Sequence, residues 1–222
     1  MQNNNTMKIK NFLLVLAAFV LTNVAAFAQE PYDVESSSEY DIIMTKNTTS
    51  PSIEDFITAL LAEPEDELNG MLSDAWQRYL SGQPAEKGGT MLVDKKNGFM
   101  SYTVDYDVMY PEDEFGMLLR VEMCYWNCAD GKHKLVAQNV VSTHNGKPAL
   151  GQYDGMMFYL YDIKAHKLSP VYSIIEDYEG DYEIITYELP QKGKNIKVHI
   201  HTSTGVIDKL LVWDGYRFKF GE

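Results

Sequence analysis

The stretch Met117-Leu-Leu-Arg-Val-Glu-Met-Cys-Tyr-Trp-Asn-Cys-Ala-Asp-Gly-Lys-His-Lys-Leu-Val-Ala-Gln-Asn-Val-Val-Ser-Thr-His-Asn-Gly146 decides the fold. Within it Val121, Met123 and Tyr125 alternate with Glu122, Cys124 and Trp126, the period-two pattern of a strand. Asp130-Gly131 is a turn pair that joins this run to a second one over 133–143, and Asn145-Gly146 closes the second run. Together they predict an antiparallel hairpin.

The pattern spreads outward in both directions. Asn97-Gly98 separates a short run at 90–93 from a long one at 99–108, in which Met100, Tyr102, Val104, Tyr106 and Val108 alternate with polar residues. Further strands are expected at 156–163, 168–174, 182–189, 196–202, 206–212 and 216–220, separated by Gly180-Asp181, Asp214-Gly215 and similar turn signals. No long helix falls between them to carry parallel crossovers, so about ten strands should form an antiparallel meander. A sheet of that size curls into a barrel, splits into two layers, or builds blades, and about ten strands fill too few blades for a propeller.

Two helical stripes precede the strands. Ile53, Phe56, Ile57, Leu60 and Leu61 follow the helical spacing, with Ser50-Pro51 as the expected cap and first turn. After Glu63-Pro64, Leu68, Met71, Leu72, Ala75, Trp76, Tyr79 and Leu80 form a second stripe, which Gly82 should end. The expected fold class is therefore α+β, mainly β. Two N-terminal helices over 51–82 pack on a large antiparallel meander sheet over 90–222 that is curved, barrel-like or two-layered.

Residues 1–28 read as a secretory leader: Lys8 and Lys10 precede an apolar run over 12–21, and Ala26-Phe27-Ala28 offers a small-residue cleavage site. That run is shorter than the roughly 20 residues a membrane-spanning helix needs. No cysteine follows the cleavage site to carry a lipid, the only two being Cys124 and Cys128. The expected product is secreted or periplasmic, without membrane span or lipid anchor, with 29–50 as a flexible segment and 51–222 as one globular domain.

The formal charge is −13, from 19 Lys and Arg against 32 Asp and Glu, and loss of Lys8 and Lys10 with the leader takes it to −15. Nucleic acid is excluded as a partner of such a surface. In a regular strand Cys124 and Cys128 lie about 13 Å apart, beyond the roughly 7 Å limit of a disulfide, so only a bulge or turn near Trp126 would join them. Their spacing is not that of a redox or zinc module.

Three constellations could carry chemistry. His199 and His201 share one strand face, and Asp208 on the next strand could complete a metal site if register permits; the alternative is a solvated face of an amphipathic strand. Four carboxylates at Asp177, Glu179, Asp181 and Glu183, and three more at 112–114, surround expected turns without the spacing of a calcium loop. Aromatic residues make up 12% of the chain, and Tyr153, Phe158, Tyr159, Tyr161 and Tyr172 concentrate in mid-sheet, where exposed rings would offer a platform for a glycan, lipid, peptide or protein ligand.

The chain lacks the sequence motifs of a serine-hydrolase elbow, a zinc-protease helix, a phosphate loop and a dinucleotide turn. No catalytic residue and no cofactor is assigned. The sequence therefore favours a secreted or periplasmic binding protein without catalytic activity. The alternatives are an extracytoplasmic glycan hydrolase with spatially assembled carboxylates and a structural envelope interaction module.

Overall fold

In a computed structural model that describes residues 33–34, 41–44, 48–62 and 67–221, the hairpin read from the sequence is the middle of the largest sheet. Strands β5 (Met117–Asn127) and β6 (His133–His144) pair antiparallel, with Val121 opposite Val140 and Trp126 opposite Leu135. Gly131 supplies the turn's left-handed residue at φ 66°. On one side follow β4 (Phe99–Asp105) and β3 (Gly89–Asp94); on the other β8 (Gly155–Asp162) and β9 (Lys167–Tyr172). Short strands β1 (Asp33–Val34) and β2 (Ile42–Ile43) add to β9, and β7 (Lys147–Pro148) adds to β6. The leader expected over 1–28, most of the segment 29–50 and the break at 63–64 lie outside the described residues.

Among the described residues every strand pairing is antiparallel, as the short connections require, and the sheet does not close. Its path ends at β3 on one side and at β1 on the other, which rules out the barrel-like arrangement. Nor is there a single sheet. After β9 the chain turns away at Ser173, which has φ 56°, and Ile175 makes a lone parallel bridge to Phe218. It then forms a separate four-stranded meander of β10 (Ile184–Glu188), β11 (Ile196–Thr202), β12 (Gly205–Trp213) and β13 (Phe218–Phe220).

The small sheet covers one face of the large one. Ile196, Val198, Ile200 and Leu211 are fully buried in the same cluster as Trp126, Leu135 and Ala137. Phe218 sits edge-on to Trp126 at 5.0 Å, a geometry that aromatic quadrupoles favour, and Trp126 Nε1 donates to the Lys194 carbonyl at 2.9 Å.

The opposite face is covered by helices α1 (Ile53–Leu60) and α2 (Glu67–Leu80). Ile53, Ile57, Leu72, Ala75 and Trp76 pack on Met100, Tyr102, Val121 and Met123. The cap of α1 is Ser52 and not Ser50: its hydroxyl accepts from Asp55 N–H, and the Asp55 carboxylate accepts from Ser52 N–H at 2.8 Å. This reciprocal box outcompetes a serine placed two residues earlier, which has no acidic partner three residues on. Trp76 Nε1 donates to Thr58 Oγ1 at 3.1 Å and ties the two helices together. Helix α2 ends where Gly82 takes φ 67°.

With covers on both sides, β6 is buried continuously from Lys134 to Val141, whereas a sheet with one wet face would alternate. The run expected over 99–108 also stops early. Asp105 accepts from the N–H groups of Asp107 and Val108 at 3.1 and 3.2 Å, which turns 106–109 into a one-turn helix, α3 (Tyr106–Met109). Among the described residues no helix is long and apolar enough to cross a membrane.

Cys124 and Cys128 are both buried as thiols, and loss of solvent pushes the Cys124 thiol well above its ordinary value. Native protein should therefore resist a thiol-reactive chromogen, and both thiols should titrate after denaturation; an intact mass lowered by a disulfide would contradict the packing. Replacing Trp126 by Ala should cost about 3–5 kcal/mol, read as a lowered denaturation midpoint, because the ring fills the space between the two sheets.

Candidate functional site

On the helix-covered face, at the end where β5 begins and β6 ends, a cleft of about 530 Å³ opens between α2, α3 and the loop 149–154. Its floor is core: Leu119 from β5 and Val140 from β6 are buried and belong to the helix-side cluster. Leu68 and Met71 of α2 form one wall. Tyr106, Met109 and Tyr110 form another, with Tyr153 and Met117 completing the mouth. Polar atoms come from Glu86, Ser142, Gln152 and Asp154. An apolar concavity of this size with a few polar groups at its edge is the usual form of a small-ligand site.

Carboxylates hold these walls by accepting from backbone N–H groups. Asp105 caps α3, and Asp107 accepts from Gly116 N–H at 2.8 Å, which closes the loop 107–116 on itself. Across that loop Tyr106, just before it, stacks on Tyr110 at 6.5 Å between ring centres, and both meet Phe115 edge-on at 6.4 and 6.0 Å. On the other side Asp154 accepts from Gly151 N–H at 2.7 Å and from Ser142 N–H, pinning the turn 151–154 to β6. The walls are therefore held by the chain's own hydrogen bonds.

Apolar surface continues past the mouth. Val108, Tyr110, Phe115, Leu150 and Tyr153 are each more than a third exposed, and all lie in the segments that frame the cleft. Tyr110 and Phe115 meet edge-on there, and clustered exposed apolar residues of this kind mark binding surfaces. Beside them Glu112, Asp113 and Glu114 project into solvent. Glu86 is engaged by Arg78 at 3.0 Å.

The five aromatic residues singled out from the sequence do not form one platform. Tyr153 lines the cleft. Phe158 is buried under the small sheet, while Tyr161 is fully buried on the helix side, edge-on to Phe56 at 5.3 Å. Tyr159 packs beside Tyr161, and Tyr172 is exposed on β9, apart from the cleft lining. Period two sends Phe158 to one side of β8 and Tyr159 and Tyr161 to the other. The residues that reasoning missed are Met71, Met109, Tyr106 and Tyr110. Asp105 followed by Tyr106 and Tyr110 four apart, with Pro111 behind them, was the available signal for a capped turn presenting two rings.

The histidine pair is split as well. Register sets Asp208 opposite His199, whose Nδ1 lies 2.7 Å from the carboxylate; its Nε2 lies 3.1 Å from Glu188. His201 instead meets Thr186 Oγ1 at 3.3 Å. Among the described residues no group of three or more His, Cys, Asp or Glu side chains is placed to hold a metal ion. His199 thus ties three strands together, with a carboxylate at each ring nitrogen. Comparison with protein-family models, with curated proteins and with solved structures finds no match for this chain.

Burial raises the Glu188 pKa, but hydrogen bonds from Lys197 and His199 outweigh it and leave it below its ordinary 4.5. A depressed carboxylate contributes stability that is present above the unfolded value and disappears as pH falls through the folded one. The denaturation midpoint should therefore drop as pH falls below about 4.5, and in Glu188→Gln that part of the drop should vanish. An unchanged acid profile in the variant would contradict the role given to this cluster.

Proposed function

We propose that this chain is a secreted or periplasmic binding protein without catalytic activity, which takes an apolar ligand or partner segment in the cleft between α2, α3 and the loop 149–154. The observation that carries the reading is a pre-shaped concavity whose floor is core and whose mouth is fringed by exposed rings. Export is part of the proposal through the leader pattern at 1–28. Tyr153, Met71, Met109 and Tyr110 line the cleft and are the residues proposed to meet the ligand.

The test uses Nile red, a neutral dye whose emission rises in apolar surroundings. Saturable binding to the mature protein is expected. Met71→Glu should weaken it at least tenfold, since it puts an unpaired charge against the apolar wall, and Tyr153→Ala should weaken it several-fold. Absence of binding, or binding that both variants leave unchanged, would reject the cleft as the site.

One observation favours the interaction-module alternative. Strand β13 pairs only with Leu211–Trp213 of β12, so among the described residues 205–209 of β12 have β11 on one side and no strand on the other. Val206 and Ile207 are exposed there. An open, aliphatic edge is a template for pairing with another chain. If that reading governs, native mass spectrometry should show a dimer that Ile207→Lys abolishes.

A further inference from the structure

Resting on the cleft as a ligand site, we infer that its occupant is a basic amphipathic peptide segment, with apolar side chains in the cleft and Lys or Arg side chains against the lip at 105–114. Charge complementarity decides this. From Asp105 to Leu119 the chain carries Asp105, Asp107, Glu112, Asp113 and Glu114, and between Lys96 and Arg120 it has no Lys or Arg. These carboxylates stand in the segment that forms the tyrosine wall, and 112–114 are exposed beside Tyr110 and Phe115. Glu86 adds a further carboxylate at the cleft, paired with Arg78. A lip of that sign repels a phosphate or carboxylate head group and attracts cations, on a chain whose overall charge is already −13.

The lining suits side chains more than a single acyl tail. Met71, Met109 and Met117 are unbranched and polarizable, so they adapt to apolar groups of different shape. Tyr110 and Tyr153 present flat, half-exposed rings at the mouth, and the apolar fringe extends beyond the concavity itself, as an occupant longer than the cleft requires. An amphipathic helix that sets residues spaced three and four apart into such a groove, with its basic face over the lip, satisfies both features.

The experiment measures fluorescence anisotropy of two labelled peptides with identical leucine spacing, one carrying Lys and the other Glu on the polar face. The full mature chain is used, with Nile red run in parallel. The Lys peptide should bind at least tenfold tighter than the Glu peptide, displace Nile red, and lose affinity between 50 and 300 mM salt, about the range over which screening takes hold. Combining Glu112→Gln, Asp113→Asn and Glu114→Gln should weaken the Lys peptide about three- to tenfold and leave Nile red binding intact, since these exposed groups carry no wall. Equal binding of both peptides, or preference for monomeric lysophosphatidylcholine over either, would overturn the inference while Nile red binding kept the cleft. Loss of every probe would remove the cleft reading itself.

Discussion

A carboxylate shut between two sheets must be met by donors, and Glu122 is where the two β layers are tied. Its Oε2 accepts from Asn139 Nδ2 at 3.1 Å and from the Leu189 N–H at 2.9 Å, and Arg120 Nε lies 3.6 Å from the other oxygen. Asn139 also donates to the Tyr187 carbonyl at 2.8 Å. Two backbone groups at the end of β10 are thus held by side chains of β5 and β6. Desolvating a charge costs several kcal/mol unless such partners are in place, so sliding the small sheet would strand Glu122. Asn139 Oδ1 is the buried side-chain atom left without a hydrogen-bond partner among the described residues, a cost that the cluster carries.

Fixing that register has consequences on both sides of the large sheet. It lays Leu189, Val198 and Ile200 over Trp126, Leu135 and Phe158, so one face is sealed by packing. The other face must then be sealed by something else, and the helices do so over Met100, Tyr102, Val121 and Met123. Where β5 begins and β6 ends, the cover is a one-turn helix and two loops, and the cleft opens there over Leu119 and Val140. The same cluster that stabilises the fold therefore supplies the floor of the site.

Much of the large sheet was legible because turn pairs and alternation are local. Asp130-Gly131 and Asn97-Gly98 each lie between strands that do pair. Alternation states only that two faces differ, and it could not say that a second sheet covers the face bearing Glu122 and Trp126. Ser50 and Ser52 are both capable caps; the choice fell to the one with Asp55 three residues on. At 99–108 the period-two pattern was overruled by Asp105, a single side chain that captures two N–H groups and bends the chain. The aromatic residues of β8 were read as a group, although neighbours in a strand point to opposite faces, so Phe158 and Tyr161 entered different cores. The contact of His199 with Asp208 was conditional on register, and register delivered it. The cleft escaped notice because its lining comes from segments between 68 and 154 that only the sheet brings together.

The carboxylates around the cleft do two things at once. Asp105, Asp107 and Asp154 each accept from backbone N–H groups and so fix the walls, and asparagine would fix them about as well. What aspartate adds is charge, which remains after the hydrogen bonds are made and reaches beyond contact range at low ionic strength. Under the proposed function, walls already ordered would spare a ligand the entropy of ordering them, and discrimination would fall to the lip. Under the proposed function an apolar floor would accept almost any apolar group of the right size, and the sign of the field at the entrance would sort one amphipathic occupant from another.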